Sequence, residues 1–230
     1  MDIEETFRER LARNIRAAAK HLLPEGVVRE VQQYRAYDKH ERPLYLKIRM
    51  SNRLGLTNPK LSRVPETARA FLFVCFGNIM RSPMCEALLN RELAHLDDAQ
   101  FTVASAGLNA IHGRPAHPWA IAAAKEFDIS LEHHRARLLT AEMVNQADAI
   151  FVMDYHNQVQ LLSRWGGAKK KVFLLSAYAA GDYRPVEILD PYYMGQEGTV
   201  RCYEILNACI QNLVRGLSIR GQPLQPARKT

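Results

Sequence analysis

The sequence predicts an α/β fold, namely a doubly wound four-stranded parallel sheet with helices on both faces, preceded by a helical N-terminal extension. Two observations support this prediction. From residue 70 onward, short apolar runs alternate with segments of helical periodicity, which is the pattern of parallel strands joined by helices. The runs are apolar enough to be buried on both faces of such a sheet.

The strands and helices are predicted in the following order. The strands cover Ala70–Cys75, Phe101–Ser105, Ala149–Met153 and Lys171–Leu175. The helices cover Pro83–His95, Pro118–Phe127, Ala141–Gln146, Tyr155–Trp165 and Thr199–Leu217. In sheets of this kind, ligands bind beyond the carboxyl ends of the strands, at the switch point of the strand order. Cys75 ends the first strand and is therefore predicted to lie at the ligand-binding edge.

The α/β domain is predicted to cover residues 67–218, between a basic helical extension of residues 1–66 and a disordered tail of residues 219–230. One apolar stripe predicts the first helix of the extension, and it consists of Ile3, Phe7, Leu11, Ile15, Ala18 and Leu22. Pro24 can begin a second helix. A third apolar segment covers residues 44–50, and residues 58–65 have the composition of a linker.

The composition is that of a globular protein, with 47% hydrophobic and 24% charged residues. No stretch approaches the roughly 18 apolar residues of a membrane span, and the acidic, polar N-terminus is unlike a signal peptide. Four cysteines without metal-type spacing favour a reducing compartment over a disulfide scaffold. We therefore expect a cytoplasmic protein, with the inner face of the membrane as a second place of action.

The net charge of +7 is concentrated in the extension, because residues 1–70 contain fifteen Lys and Arg against nine Asp and Glu. The first expectation is a helical arm that packs on its own α/β domain or associates with a second copy of the chain. The alternative is a basic amphipathic surface that binds an acidic partner or a membrane surface. Nucleic acid is disfavoured because no recognised reading motif accompanies the charge.

Residues 73–82 read F-V-C-F-G-N-I-M-R-S, and they place Cys75 and Arg81 at the two ends of a short loop between a strand and a helix. The free backbone N–H groups at a helix start favour a thiolate over a thiol, and a loop of this length can wrap its amides around a phosphate. Arg81 adds a planar, charged fork that suits two phosphate oxygens. The pattern therefore joins a nucleophile to an oxyanion site, although a buried structural cysteine beside a surface arginine is an alternative.

The loop C-F-G-N-I-M-R-S-P resembles the phosphate loop of the low-molecular-weight protein tyrosine phosphatase family, whose usual form is C-x-G-N-x-C-R-S-P. Four further motifs follow in the order of that family, namely S-A-G at 105–107, H-R-A-R at 134–137, M-D-x-x-N at 153–157 and D-P-Y-Y at 190–193. The resemblance covers roughly residues 70–217 and leaves residues 1–66 outside.

The resemblance implies a two-step reaction on phosphotyrosine in a protein substrate. Cys75 would attack phosphorus and form a phosphocysteine, while Arg81 and the loop amides would hold the phosphoryl oxygens. Asp190 would protonate the leaving phenolate and then serve as the base toward water. The substrate-binding positions implied by the family are Phe76, Gly77, Asn78, Ile79, Met80, Ser82, Ile111, Tyr192 and Tyr193.

Other residues are implied to support the loop rather than to react. Asn78 tolerates left-handed backbone geometry, and the family implies that Ser105 and His134 hold it in place. Ser82 would donate to the thiolate, or simply cap the helix start. Asp154 and Asn157 are expected to fix a turn and a helix start, and His133 is expected at the surface.

Three positions bear on the branch of the family, and a fourth on its redox chemistry. Ile79 matches the members that act on phosphotyrosine, whereas the members that act on arginine phosphate carry a small polar residue at this position. Leu108 after S-A-G and the aliphatic Ile111 resemble the bacterial branch that acts with tyrosine kinases of polysaccharide synthesis or export. Met80 stands where many relatives have a second cysteine, which implies that reversible protection of Cys75 as a disulfide is lost.

Two alternatives to a phosphatase stay open. The first is a catalytically silent phosphotyrosine-binding or interaction module, against which the presence of Cys75, Arg81 and Asp190 argues. The second is an arsenate reductase on the same fold, which would need further cysteines near the site, and residues 86–201 contain none. Neither a metal nor any other cofactor is implied by the resemblance.

Overall fold

The computed structural model describes residues 34–35, 37–54, 64–94, 101–179 and 187–221. The chain divides into two compact units, residues 1–50 and residues 51–230. The first predicted helix of the extension, the second as far as residue 33, most of the predicted linker and residues 222–230 of the predicted tail lie outside the described residues. No helix in the described part of the chain is long and apolar enough to cross a membrane.

The described part of the N-terminal unit is built around three tyrosines and the start of helix α1 (Arg42–Arg53). The buried ring of Tyr45 lies 4.5 Å from the ring of Tyr37 and 6.3 Å from that of Tyr34, centroid to centroid. The Arg42 guanidinium lies over the Tyr34 ring and donates from Nε to the carbonyl of Tyr37. The third predicted apolar segment of the extension therefore belongs to a helix.

The second unit contains a four-stranded parallel sheet, as predicted, and its strand order is β2–β1–β3–β4. The strands are β1 (Ala70–Cys75), β2 (Thr102–Gly107), β3 (Ala149–Val152) and β4 (Val172–Leu174). The predicted strand Phe101–Ser105 ends too early, because pairing with β1 continues to the residue pair Cys75 and Gly107. This extension brings Gly107 beside the end of the strand that carries the cysteine.

The described part of the second unit contains five helices after the first strand. They are α2 (Arg81–Ala94), α3 (Pro118–Lys125), α4 (Ala141–Gln146), α5 (Tyr155–Arg164) and α6 (Gly195–Gly221). Three short 3₁₀ segments cover Gly166–Lys171, Leu175–Tyr178 and Pro191–Tyr193. Phe71 and Phe73 of β1 join one core cluster with buried residues of α2, α3 and α6. The side chains of Leu72 and Val74 between them are also buried, as expected of a strand covered on both faces.

Two predicted helix starts were wrong. Helix α2 begins at Arg81 rather than Pro83, because a proline inside the first turn removes no hydrogen bond that the helix needs. Helix α6 begins at Gly195, which has a positive φ of 69°, rather than at Thr199. Two other starts follow side-chain caps: Thr140 accepts from the Met143 amide at α4, and Asp154 accepts from the Asn157 amide at α5.

Candidate active site

The loop of residues 76–80 joins the end of β1 to the start of α2 and directs its carbonyl groups away from the loop centre. The carbonyls of Phe76, Ile79 and Met80 accept from the Asn109 amide, the His117 amide and the Tyr203 hydroxyl, respectively. Within the described residues, none of the backbone N–H groups of residues 76–80 donates to a protein acceptor. The loop therefore offers a set of free donors beside Cys75.

Asn78 holds the loop in this shape. It is fully buried and has a left-handed backbone, with φ of 53°, a conformation that asparagine tolerates. Its Nδ2 donates to the hydroxyl oxygens of Ser82 (2.9 Å) and Ser105 (2.8 Å), and its Oδ1 accepts from the Arg137 amide (2.8 Å). The carbonyl of Asn78 accepts from Nε2 of His134 at 2.7 Å. The structure thus brings both predicted supporting residues, Ser105 and His134, to Asn78.

These contacts orient two hydroxyl protons. Because the Asn78 amide donates to both serine oxygens, each hydroxyl is left to donate elsewhere. Ser105 donates to the carboxylate of Glu86, and Ser82 Oγ lies 3.0 Å from Cys75 Sγ. The Ser82 proton is therefore directed toward the sulfur, with the Ala106 carbonyl a more distant acceptor at 3.4 Å. Glu86 was not singled out from the sequence, because a glutamate within a predicted helix does not indicate a contact with Ser105.

His134 is half-buried, and burial lowers the pKa of its imidazole. The ring is therefore neutral at pH 7 and carries its proton on Nε2, since a backbone carbonyl can only accept. His133, by contrast, is exposed, as predicted.

Arg81 is almost completely buried, with 1% of its surface exposed. One terminal nitrogen donates to Asp154 Oδ2 at 2.6 Å and to the Ile188 carbonyl at 2.8 Å, and the other donates to Asp190 Oδ2. Burial lowers the pKa of the guanidinium, but the charges of Asp154 and Asp190 more than offset that effect and raise it overall. The guanidinium is thus permanently charged and held in one orientation by two carboxylates.

Asp154 has two functions in the structure, of which the sequence predicted one. Its Oδ1 caps helix α5 by accepting from the Asn157 amide at 2.7 Å, as expected. Its Oδ2 accepts from Arg81, a contact between residues far apart in the chain. The position of Asp154 two residues after the end of β3, at the same sheet edge as Cys75, is the signal that could have indicated this contact.

Asp190 and the two tyrosines after it form one side of the mouth of the site. Asp190 Oδ1 accepts from the Tyr192 amide at the start of the 3₁₀ segment Pro191–Tyr193. The rings of Tyr192 and Tyr193 lie edge to face at 4.9 Å, and Tyr193 is 93% exposed. The Tyr192 ring also meets the edge of the His117 ring at 5.3 Å, which fixes its position.

A cavity of about 440 Å³ opens at this edge of the sheet. The predicted site residues that line it are Cys75, Phe76, Gly77, Ile79, Met80, Arg81, Ile111, Asp190, Tyr192 and Tyr193. Asn78, Ser82, Ser105 and His134 lie behind the loop rather than in the lining. Asn109 and Arg114 also line the cavity, and sequence reasoning missed them. Their place in the loop after S-A-G, around Ile111, was the available signal.

The other three cysteines, Cys85, Cys202 and Cys209, are buried and free. Burial raises the pKa of Cys85 well above its ordinary value and that of Cys202 and Cys209 to about 12. These thiols are protonated at neutral pH. Within the described residues, no group of three or more His, Cys, Asp or Glu side chains is arranged to hold a metal ion.

A cysteine at the end of a parallel strand, a loop of free amides, a buried arginine and an aspartate at the mouth define the class of cysteine-dependent phosphatases. The family model described as low molecular weight phosphotyrosine protein phosphatase matches residues 70–223. The chain therefore belongs to the low molecular weight phosphotyrosine protein phosphatase family.

Individual relatives agree with this assignment. The chain is 38% identical to a probable low molecular weight protein-tyrosine-phosphatase, EpsP, of Ralstonia nicotianae over 124 residues, which cover 54% of this chain and 79% of that protein. It is 33% identical to a protein-arginine-phosphatase of Bacillus subtilis over 147 residues, which cover 64% of this chain and 93% of that protein. The solved tyrosine phosphatase Wzb from Escherichia coli K30, in complex with sulphate, is 30% identical with a TM-score of 0.59, covering 66% of this chain and all of that one.

Proposed function

We propose that this protein hydrolyses phosphotyrosine in protein substrates through a phosphocysteine intermediate. The observation that carries the proposal is the placement of Cys75 Sγ, 3.0 Å from the Ser82 hydroxyl, in a cavity that Arg81 and the loop of free amides also line. A phosphate held by these donors presents its phosphorus to the sulfur.

In the first step, the Cys75 thiolate attacks phosphorus and the bond from phosphorus to the tyrosine oxygen breaks. Charge on the three equatorial oxygens is held by the loop amides and by the Arg81 guanidinium. A phenolate is a poor leaving group, so the protonated carboxyl of Asp190 gives its proton to the departing oxygen. The contact between Asp190 and Arg81 places this residue beside the group that binds the phosphate, and Asp190 acts as the acid in the form in which its carboxyl has left Arg81 and carries a proton.

In the second step, water attacks the phosphocysteine and transfers a proton to the Asp190 carboxylate. The bond from phosphorus to sulfur breaks and returns the electron pair to Cys75. The Ser82 hydroxyl, whose proton is directed to the sulfur by the Asn78 contact, stabilises the departing thiolate. Phosphate leaves, and release of the Asp190 proton to solvent restores the ion pair between Asp190 and Arg81.

The lining of the cavity favours phosphotyrosine over phosphoarginine, although one relative is a protein-arginine-phosphatase. Ile79, Ile111, Tyr192 and Tyr193 give the cavity an apolar and aromatic wall that suits a phenyl ring. Among the described residues that line the cavity, Asp190 is the only carboxylate that could meet a substrate guanidinium, and its Oδ2 is held by Arg81. An arsenate reductase is disfavoured because Cys85, Cys202 and Cys209 are buried in the core cluster, with pKa values raised by that burial.

The physiological substrate that we propose is the tyrosine-rich segment of a bacterial kinase of polysaccharide synthesis or export. Leu108 and the aliphatic Ile111, which is 65% exposed at the mouth, support this assignment through the resemblance to that branch. The catalytic domain would comprise residues 67–218. The basic arm of residues 1–66 would mediate self-association or bind an acidic or membrane-surface partner at the inner face of the membrane, and removing it should change localisation rather than turnover.

The experiment that tests the activity is hydrolysis of a small aryl phosphate and of a phosphotyrosine peptide by the wild type, Cys75→Ser and Asp190→Ala. We expect Cys75→Ser to abolish turnover and Asp190→Ala to lower kcat by roughly 10²-fold or more. Free phosphoarginine, assayed in parallel, should be the poorer substrate. A folded wild type that binds phosphotyrosine peptide without turning it over would instead identify the silent binding module.

A further inference from the structure

Two surface loops meet at the mouth of the cavity and carry exposed arginines. The loop of residues 111–115 and the loop of residues 131–137 form an antiparallel bridge between Pro115 and Arg135. Two backbone hydrogen bonds extend the pairing, from the Ala136 amide to the Arg114 carbonyl (2.8 Å) and from the Gly113 amide to the Ala136 carbonyl (2.9 Å). The two loops are therefore one continuous surface beside the site.

Arg114 and Arg135, which we call the basic rim, are both exposed on this surface. Arg114 also lines the cavity that contains Cys75. In the part of the chain that the structure describes, neither guanidinium is paired with a carboxylate. Arg135 donates instead to the backbone carbonyls of Glu132 (3.0 Å) and His134 (2.8 Å), which orient the group without neutralising it.

The carboxylates of the surrounding residues are already engaged. Glu86 pairs with Arg137, Glu132 with Lys125 at 3.1 Å, and Asp190 with Arg81. Burial lowers the pKa of the His117 imidazole, and the positive charge of Arg114 lowers it further. Arg114 therefore acts electrostatically on its neighbours. The rim thus presents a net positive field directly next to the opening through which a phosphorylated side chain enters.

We propose that the basic rim binds an acidic side chain that flanks the phosphotyrosine of the protein substrate. This inference rests on the proposed function and adds a sequence preference to it. An extended peptide advances about 3.4 Å per residue, so a neighbour of the phosphotyrosine lies within reach of the long Arg114 side chain. The planar guanidinium can donate two parallel hydrogen bonds to one carboxylate. A neutral neighbour of the same shape would lose this attraction.

The test compares two phosphotyrosine peptides that differ at the flanking positions, one with Glu and one with Gln, as substrates of the full chain. We expect the wild type to favour the Glu peptide by about two- to fivefold in kcat/KM for each contact, which is the range of exposed ion pairs. The preference should shrink when the salt concentration is raised to about 0.5 M, because salt screens exposed charges.

Variants connect that preference to the rim. Arg114→Gln and the double variant with Arg135→Gln should reduce the ratio between the two peptides stepwise toward one, with each variant normalised to its own turnover of a small aryl phosphate. Lys169→Gln is the matched control, because Lys169 is also exposed but precedes β4 at the opposite edge of the sheet. It should keep the wild-type ratio.

The outcomes separate the two proposals. Equal cleavage of both peptides by the wild type, or an unchanged ratio in the double variant, would overturn the basic rim as a docking surface and leave the phosphatase intact. Failure to cleave either peptide, in a protein that is folded by circular dichroism, would overturn the proposed function together with this inference.

Discussion

At the scale of single residues, Asn78 connects backbone conformation to catalysis. Its amide orients Ser82 and Ser105, and its φ of 53° gives the loop its turn. Those two contributions are separable, because glycine accepts the left-handed conformation at no steric cost and alanine does not.

We expect Asn78→Gly and Asn78→Ala both to lower kcat by on the order of tenfold, which corresponds to about 1.4 kcal/mol, since both remove the amide that orients Ser82. Asn78→Ala should be less stable than Asn78→Gly by about 1 kcal/mol, because it alone adds backbone strain. Urea unfolding and steady-state kinetics measure the two effects. Wild-type turnover in Asn78→Gly would show that the hydroxyl orientation contributes nothing.

Met80, two residues further along the loop, departs from the family pattern in its chemistry. Its thioether is buried in the lining of the cavity, and it cannot form a disulfide with an oxidised Cys75. The buried thiol of Cys85, with its raised pKa, is a poor substitute because little of it is thiolate.

After a brief exposure to peroxide, the wild type should therefore recover only part of its activity when a thiol reductant is added. Met80→Cys should recover more fully, because a neighbouring thiol can capture the sulfenic acid before further oxidation. Mass spectrometry of the Cys75 peptide would identify the sulfinic acid in the wild type. Complete recovery of the wild type would contradict the prediction.

At the scale of elements, the end of β2 supports the loop that follows β1. A Cβ atom on Gly107 would lie 2.8 Å from the Asn78 amide nitrogen, 2.9 Å from the Gly77 carbonyl carbon and 2.9 Å from the Ala110 Cβ. Two of these are backbone atoms that cannot move without displacing the loop. The close approach of the two segments thus depends on the absence of a side chain.

Gly107→Ala should accordingly lower kcat/KM by on the order of tenfold or more, since a displacement of about 1 Å at a reacting group can cost as much as 10². Gly167→Ala is the control, because nothing lies within 4 Å of its added Cβ. Both variants should be compared by kinetics and thermal unfolding. If Gly107→Ala keeps full activity, the loop is more adaptable than its contacts indicate.

At the same scale, the helices and strands show what local sequence can predict. The bounds of β1 and α4 were predicted correctly, because an apolar run ends at Cys75 and a threonine cap precedes Ala141. The extension of β2 to Gly107 was not predicted, because it depends on the pairing of β2 with β1. Likewise, the order of the family motifs indicated that Ser105 and His134 support Asn78. The contacts of Glu86 with Ser105 and of Asp154 with Arg81 could not be predicted, because they arise only when the strands are assembled.

At the scale of the whole molecule, the buried thiols make stability depend on pH. Burial raises the pKa of Cys202 and of Cys209 from an ordinary 9.0 to about 12. Below pH 9 both thiols are protonated in the folded and the unfolded chain, so their contribution to stability is fully present. Between pH 9 and 12 the unfolded chain loses these protons while the folded chain keeps them, and the contribution is lost.

The free energy of unfolding should thus fall as pH rises above 9, by about 1.4 kcal/mol per pH unit for each such thiol. Cys209→Ala should be less stable than the wild type at pH 8 but lose stability less steeply between pH 9 and 11. Urea denaturation at several pH values measures both slopes. Parallel slopes would show that Cys209 does not contribute to the alkaline sensitivity.

The contact between Asp190 and Arg81 has a consequence for turnover. A phosphate group that enters the site meets a guanidinium that already carries a carboxylate, so binding is an exchange of one anion for another rather than a simple addition. Such an exchange weakens the hold on inorganic phosphate, because the Asp190 carboxylate can return to the guanidinium once the proton that it took up in the second step has been released. The Asp190 carboxylate is therefore an internal competitor of phosphate, which the chain holds at the position that the product must leave.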